Sequence, residues 1–318
     1  MNRLLQLLTL AAFVMLAVPA CSPERGVSDL IEAETEDAVV VDAILIVDAP
    51  LPTVLVTRTV SPLAEFTQQA IAERSANIVI RREDGLAVTY QETSGSPGEY
   101  APAGPQAPPV LPSTRYDITV TTADGRTVTG TTRTPPRFRI AQWLLLEDDA
   151  ETARRQFQTF NDLGTAVYDH PDNQVVYNDG LLEARYPDED LQFQVGILNL
   201  EEDSPLVVNP DFFSDEDLLD LERVLSSPPL LGDEGSLRLP WLAIYYEGRT
   251  LLRIHSIDEN WYDLIRSTPG LDGSGGGLAF GGNAGENFER PLFRLEGGIG
   301  IFGSGSVDSV GFRILPPE

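Results

Sequence analysis

Asn77-Ile78-Val79-Ile80-Arg81-Arg82-Glu83-Asp84-Gly85-Leu86-Ala87-Val88-Thr89-Tyr90-Gln91 is the stretch on which the fold turns. Two runs rich in β-branched residues, Asn77–Arg81 and Leu86–Gln91, flank an Asp-Gly pair, and that order predicts a β-hairpin. A second hairpin follows at Tyr116–Thr122 and Arg126–Thr132 around Asp124-Gly125. Upstream, Val39–Val47 and Thr53–Val60 read as strands, and Ser61-Pro62 opens a short helix through Arg74, with proline at its first position. Pro102–Pro112 is a proline-rich loop, and Thr134-Pro135-Pro136 closes the segment. Seven or so short strands with regular turns predict an immunoglobulin-like β-sandwich over residues 38–136.

Residues 137–318 read as a second, larger, β-rich domain, sandwich or barrel-like, with a few short helices. Its predicted strands are Phe138–Leu146, Gln174–Tyr177, Leu181–Tyr186, Leu191–Asn199, Leu237–Tyr246, Thr250–His255, Phe293–Glu296 and Val310–Leu315. Helices are predicted over Asp149–Phe160, from a Ser214 cap to Leu225, and from Ser256 to Ile265, where Glu259 completes a capping-box pattern. Pro269 and the glycine-rich run Gly270–Gly285 end the last one.

The first 20 residues direct the chain out of the cytoplasm. Arg3 precedes the apolar run Leu4–Val18, then Val18-Pro19-Ala20-Cys21. A charged start, a short apolar stretch and a small residue before the cut site make a secretory signal. The run is shorter than the ~20 residues that span a bilayer. The cysteine at the cut site resembles a lipobox, which implies diacylglycerol on Cys21 and anchoring of a soluble body. Ser22 rather than an aspartate follows, which by analogy favours the outer membrane. Cys21 is the single cysteine, so neither a disulfide nor a thiolate zinc site is open to the chain. Residues 21–37 are an acidic tether.

Twenty-two basic residues, all arginine, stand against 49 acids, for a formal charge of −27. Acid excess without lysine resembles proteins of salt-adapted, halophilic bacteria, where salt screens self-repulsion. Nucleic acid and anionic membranes are poor partners for such a charge.

No chemistry-bearing motif stands out. Gly298-Ile299-Gly300-Ile301-Phe302-Gly303 has dinucleotide spacing but precedes a strand instead of a helix, so it reads as a glycine-rich turn or bulge. His170 and His255 are not at zinc spacing, and no serine sits in a nucleophile elbow. Acid runs at Asp148-Asp149, Asp188–Asp190, Glu201–Asp203 and Asp215–Asp217 read as solvated surface. Asp169-His170-Pro171-Asp172-Asn173 with Asp179 offers the oxygen ligands that calcium prefers, without EF-hand spacing. Trp241, Tyr246 and Trp261 are the candidate ligand-binding aromatics, with Tyr245 and Tyr262 beside them. No catalytic residue, metal ligand or cofactor is assigned.

Several segments together resemble a lipoprotein family, domain of unknown function 4249, found in Bacteroidota-type outer membranes. The residues are the lipobox, Val39–Val47, Ala76–Gly85, Pro97-Gly98-Glu99-Tyr100 and Tyr116-Asp117-Ile118-Thr119-Val120. Ile254-His255-Ser256 through Trp261-Tyr262, Pro291-Leu292-Phe293 and Gly297–Gly303 continue the pattern. The resemblance implies a lipid-anchored outer-membrane protein associated with TonB-dependent receptors, and no known reaction. Two readings stay open: a non-enzymatic binding or accessory lipoprotein, and a carboxylate-based surface hydrolase acting on polysaccharide or peptide.

Overall fold

The computed structural model describes residues 37–61, 66–149, 151–187, 191–208, 223–232, 235–239, 241–268 and 291–317. The predicted signal peptide, Cys21 and nearly all of the predicted tether lie outside them, as do Ser214 and the Gly270–Gly285 run.

Both Asp-Gly hairpins form. Seven strands build the first sandwich: β1 (Val39–Ile46), β2 (Val54–Arg58), β3 (Asn77–Arg82), β4 (Ala87–Glu92), β5 (Glu99–Pro102), β6 (Arg115–Thr121) and β7 (Thr127–Arg133). They run β1-β2-β5-β4 in one layer and β3-β6-β7 in the other, with β4 also pairing β3. That is the strand order of a constant-type immunoglobulin sandwich. Alternate residues point inward: Val39, Val41, Ala43 and Leu45 from β1 meet Ile78, Ile80, Ile118 and Val120 from the facing layer.

Tyr116 makes a tyrosine corner. It is 2% exposed, and its hydroxyl accepts the Leu111 N–H at 2.8 Å, five residues upstream. Tyr116→Phe leaves that N–H without its partner and is expected to cost roughly 1–3 kcal/mol. Urea unfolding of the variant checks it; an unchanged midpoint would remove the corner from the stability of this sandwich.

The second core is also a sandwich. Its strands are β8 (Gln142–Leu146), β9 (Ala153–Gln156), β10 (Gln174–Val176), β11 (Leu181–Arg185), β12 (Leu191–Asn199), β13 (Val224–Ser226), β14 (Leu230–Gly232), β15 (Ser236–Leu239), β16 (Gly248–Ile257) and the later part of β18 (Ile299–Leu315); β17 (Leu295–Glu296) lies between β16 and β18 in the chain. A four-stranded sheet, β15-β11-β8-β9, packs on β12, β16 and β18 of the large sheet. Trp143, Leu145, Leu182 and Ala184 meet Phe193, Val195, Ile254 and Phe312 there. The rings of Phe138 and Tyr186 lie 5.4 and 4.9 Å from that of Phe193. The layers are open sandwiches, not a closed barrel.

One strand joins the two cores. β18 runs parallel to β1 over Ile299–Gly305, then antiparallel to β16 over Gly305–Ile314. Phe302 belongs to the first core, and Val310, Phe312 and Ile314 to the second. β17 adds to β7 at the other edge of the first sandwich. Segments from the C-terminal part of the chain thus complete the N-terminal sandwich on both edges.

Several expected elements differ. Asp149–Phe160 is not a helix: the Asp149 carboxylate accepts the N–H groups of Glu151 and Thr152, both at 2.9 Å, and so makes the turn between β8 and β9. A helical turn appears only at Phe160–Leu163 (α2). The Ser61–Arg74 helix shrinks to Gln68–Ile71 (α1), capped by Thr67; residues 62–65 lie outside the described residues. The Ser214–Leu225 prediction ends in strand β13. Ser256 does not cap the last helix, because β16 continues through Ile257. Asp258 caps it instead, taking the Trp261 N–H at 3.0 Å, and the helix is Glu259–Ser267 (α3). Leu237–Tyr246 stops as a strand at Leu239 and becomes a 3-10 turn at Trp241–Ala243. Pro240 has no N–H to give a ladder there.

Gly297 and Gly298 form the bend between β17 and β18, and Ile299–Gly303 begins β18. Gly300 has φ +106°, and a Cβ on it would lie 2.2 Å from the Val41 carbonyl oxygen. Glycine lets the β1 backbone approach where no side chain fits.

Candidate functional site

A polar cleft lies at one end of the second sandwich. The loop after β12, Leu200–Pro205, folds back toward the start of β16 and the end of β18, enclosing about 550 Å³. Asn199 shapes this loop. Its Oδ1 accepts from the Ser204 hydroxyl at 2.9 Å, and its amide donates to the Glu247 carbonyl at 2.7 Å. Gly248, at φ +91°, leaves the space that the Glu201 carboxylate occupies; a Cβ there would sit 2.3 Å from Glu201 Oε2.

Glu201 is the centre of the charge pattern. Arg249 Nε donates to Glu201 Oε1 at 2.8 Å, and Arg313 Nη1 lies 3.5 Å from the same atom. Arg313 also reaches Asp169 at 3.4 Å. Loss of water pulls the Glu201 carboxyl up, but hydrogen bonds from Arg249 and the charges of Arg313 and Arg249 outweigh it and hold it below its ordinary value. Glu201 is therefore ionised at neutral pH and is not a general acid. Since its folded-state pKa is depressed, its contribution to stability is present above the unfolded value and lost as pH falls through the folded one. The wild-type chain is expected to lose stability below about pH 4.5 more steeply than Glu201→Gln. Urea midpoints taken from pH 6 to pH 3 check this, and parallel slopes would contradict it.

Arg223 braces the Leu200–Pro205 loop from outside the cleft lining. Its guanidinium lies 3.9 Å over the Tyr246 ring and donates to the Glu201 carbonyl at 2.8 Å and the Ser204 hydroxyl at 2.9 Å.

The three candidate aromatics do not form one wall. Tyr246 stands beside this cleft under Arg223. Trp241 is 6% exposed in the core, where its indole N–H donates to the Gly180 carbonyl at 2.7 Å and its ring meets Tyr177 edge-on. That makes it a packing residue. Trp261, on α3, lies 5.6 Å from the His255 ring and against Gly305 of β18.

The other sequence candidates are engaged locally. Burial pushes His255 down, so it is neutral at pH 7, and its buried Nδ1 has no hydrogen-bond partner among the described residues. His170 Nδ1 accepts the Asp172 N–H at 3.2 Å and caps a 3-10 turn. The acidic loop does not converge on a cation site. Asp169 faces Arg313, Asp179 faces Arg154 at 2.6 Å, and Asn173 donates to the Gly311 carbonyl at 2.6 Å. Among the described residues no three His, Cys, Asp or Glu side chains are grouped to hold a metal. Of the acid runs, Asp188–Asp190 and Asp215–Asp217 lie outside the described residues.

Several secluded acids are structural in their contacts. Burial pushes Asp258 above its ordinary value, while bonds from the Thr132 hydroxyl, Ser304 and the Trp261 N–H pull it down. The Thr132 hydroxyl lies 2.7 Å from that of Ser304, and Asn260 donates to Thr131 and Phe302 carbonyls at 2.7 and 2.8 Å. This polar seam fastens α3 to β7 and β18. Asp263, buried on α3, is held by Arg266 and Arg294. Glu183 is held by Arg185 and Arg238.

Sequence reasoning missed Glu201, Arg249, Arg313 and Arg223 as a group. The only signal was a single Arg after a long acidic stretch, at Arg223.

Comparison with known proteins returns one family. The model described as "Domain of unknown function (DUF4249)" matches residues 27–310. No curated protein matches the chain.

Proposed function

The chain belongs to the DUF4249 family, and from that membership we propose that it is a lipid-anchored envelope protein that binds a ligand or docks to an outer-membrane receptor, without carrying out a reaction. The observation that carries this reading is the cleft around Glu201. A carboxylate hydrolase needs a protonated acid facing an ionised one. In this cleft the central acid is held ionised by Arg249 and Arg313. Paired charges on a rigid sheet end suit recognition of a polar ligand or a polar partner surface. Two sandwiches sharing β18 make one continuous scaffold for that surface.

The anchor is Cys21. With two or three acyl chains the protein stays on the membrane, at ~0.8 kcal/mol per buried methylene. Cys21→Ser is expected to move the protein from the detergent phase to the aqueous phase on phase separation. A variant that partitions like the wild type would overturn the lipid anchor.

Affinity purification of the lipidated protein from native membranes in mild detergent, followed by mass spectrometry, tests the partner. Stoichiometric recovery of a TonB-dependent barrel supports the accessory role. Recovery of the lipoprotein alone, where known barrel complexes survive, counts against it and favours a free ligand in the cleft.

A further inference from the structure

The outer face of the first sandwich is apolar where a surface strand is usually polar. On β1, Val39, Val41, Ala43 and Leu45 point into the core, so Val40, Asp42, Ile44 and Ile46 point out. In register, Val40 lies beside Ile299, and Asp42 lies between Leu55 and Ile301. Val40, Ile44, Ile46, Leu55 and Ile299 are half-buried, with no layer of strands over them among the described residues. Ile44 and Ile46 oppose Gly303 and Gly305, over which Asp258 and Trp261 lie, so the open part of the face is the Val40, Asp42, Leu55 and Ile299 side. At its rim, Val40, Val60, Phe66 and Ile71 line a hollow of about 350 Å³. Phe66, at 78% exposure, is the most exposed large hydrophobic side chain among the described residues.

The tether arrives at this rim. Asp37, the first described residue, is fixed by Arg126, which donates to its carbonyl at 2.7 Å, and faces Arg58, which also lines the hollow. Fifteen residues lie between Cys21 and Asp37, a reach of roughly 55 Å fully extended over the sixteen steps. A lipid on Cys21 therefore keeps this part of the domain near the bilayer.

We propose that the β2–β1–β18 outer face, with Phe66 as its leading side chain, seats on the lipid surface as a second contact beside the acyl anchor. This rests on the lipid-anchor reading. The fit is to a zwitterionic surface, since a chain of net charge −27 is repelled by an anionic one. Asp42 suits such a surface. It has no hydrogen-bond partner among the described residues, and it is the one charged side chain on the outward row of β1, placed where an ethanolamine ammonium can meet it. Partial loss of water raises its carboxyl above the ordinary value.

The test uses the full lipidated chain. Because Cys21 is the only cysteine and is blocked by lipid, Phe66→Cys supplies a single free thiol for a bimane label. Leu231→Cys, at a position 66% exposed on β14, is the control. Both proteins are reconstituted into phosphatidylethanolamine–phosphatidylcholine vesicles carrying a doxyl quencher in the acyl region, and the acyl mass on Cys21 is measured in the same samples. The proposal expects most of the emission at position 66 to be lost, with a blue shift, and emission at 231 to be unchanged. Equal emission at both positions in a protein that carries the acyl mass overturns the docking face and leaves the anchor standing. Absence of the acyl mass overturns both. A blue shift at 66 without vesicles that grows with protein concentration assigns the face to a second copy of the chain and overturns lipid docking.

Discussion

Gly300→Val is expected to destabilise the protein by about 3 kcal/mol or more. Two costs add at this position. Its φ of +106° lies where side chains strain the backbone, and its Cβ would be 2.2 Å from the Val41 carbonyl oxygen, with the Val41 amide nitrogen 3.1 Å away. The clash cannot be relieved by a rotamer, because the neighbour is backbone in the centre of the large sheet. β18 would have to move off β1 through the Val40–Ile46 register, or β1 would have to bend. Gly297 is placed alike, at φ +79° and 2.3 Å from the Thr127 carbonyl oxygen. Such a loss lowers the melting temperature by roughly 6–12 °C in a chain of this size. Gly85→Ala is the control. Gly85 also has positive φ, +96°, but nothing lies within 4 Å of its Cβ site. It carries the conformational cost alone, on the order of 1 kcal/mol. Thermal unfolding by circular dichroism compares the two. Equal shifts would mean that close approach of β18 to β1 contributes nothing, and the glycine run would need another explanation.

That glycine run shows where the sequence is legible and where it is not. Its spacing predicts a tight backbone feature, and close approach is what the structure uses it for. What spacing could not convey is the partner: Gly300 lies beside Val41, far away along the chain, and parallel pairing leaves no turn signature. Local signals fared better. Asp84-Gly85 and Asp124-Gly125 set both hairpins through residues adjacent in the chain, with Gly85 and Gly125 at φ +96° and +88°. Leu191–Asn199 alternates clearly enough to be found end to end. Asp149–Phe160 failed because a short polar side chain competes with the helix for its own backbone N–H groups. In the cleft, Glu201 and Arg313 are separated by 112 residues. Among 49 acids and 22 arginines, no sequence rule selects that pair. For Trp241 the sequence leaves core and pocket wall both open, because the carbonyl that satisfies its indole N–H, at Gly180, is 61 residues away.

A fragment of residues 37–136 is expected not to fold cooperatively, although it contains every strand of the immunoglobulin-like order. Three supports come from outside it. β18 pairs with β1 over seven residues, Val40 to Ile46, and without it that edge is open. β17 covers β7 at Thr129 and Gly130, where the Leu295 side chain fills the space above Gly130. Phe302, 1% exposed, sits within the first core, and removal of such a ring costs about 3–5 kcal/mol. A domain of this length has only ~5–15 kcal/mol in total, so loss of the ring and two edge pairings leaves little or nothing. Open, apolar edges then favour association between fragments. Urea unfolding and amide shift dispersion of the fragment read the outcome, with the 37–318 chain as reference. A peptide of residues 291–307, added in trans, carries β17, the glycine run and Phe302, and is expected to restore dispersion. A fragment that unfolds in one sharp transition without the peptide would show that the first sandwich stands alone. β18 would then be a link between two finished units, and the large effect argued for Gly300→Val would shrink to a loss at their junction.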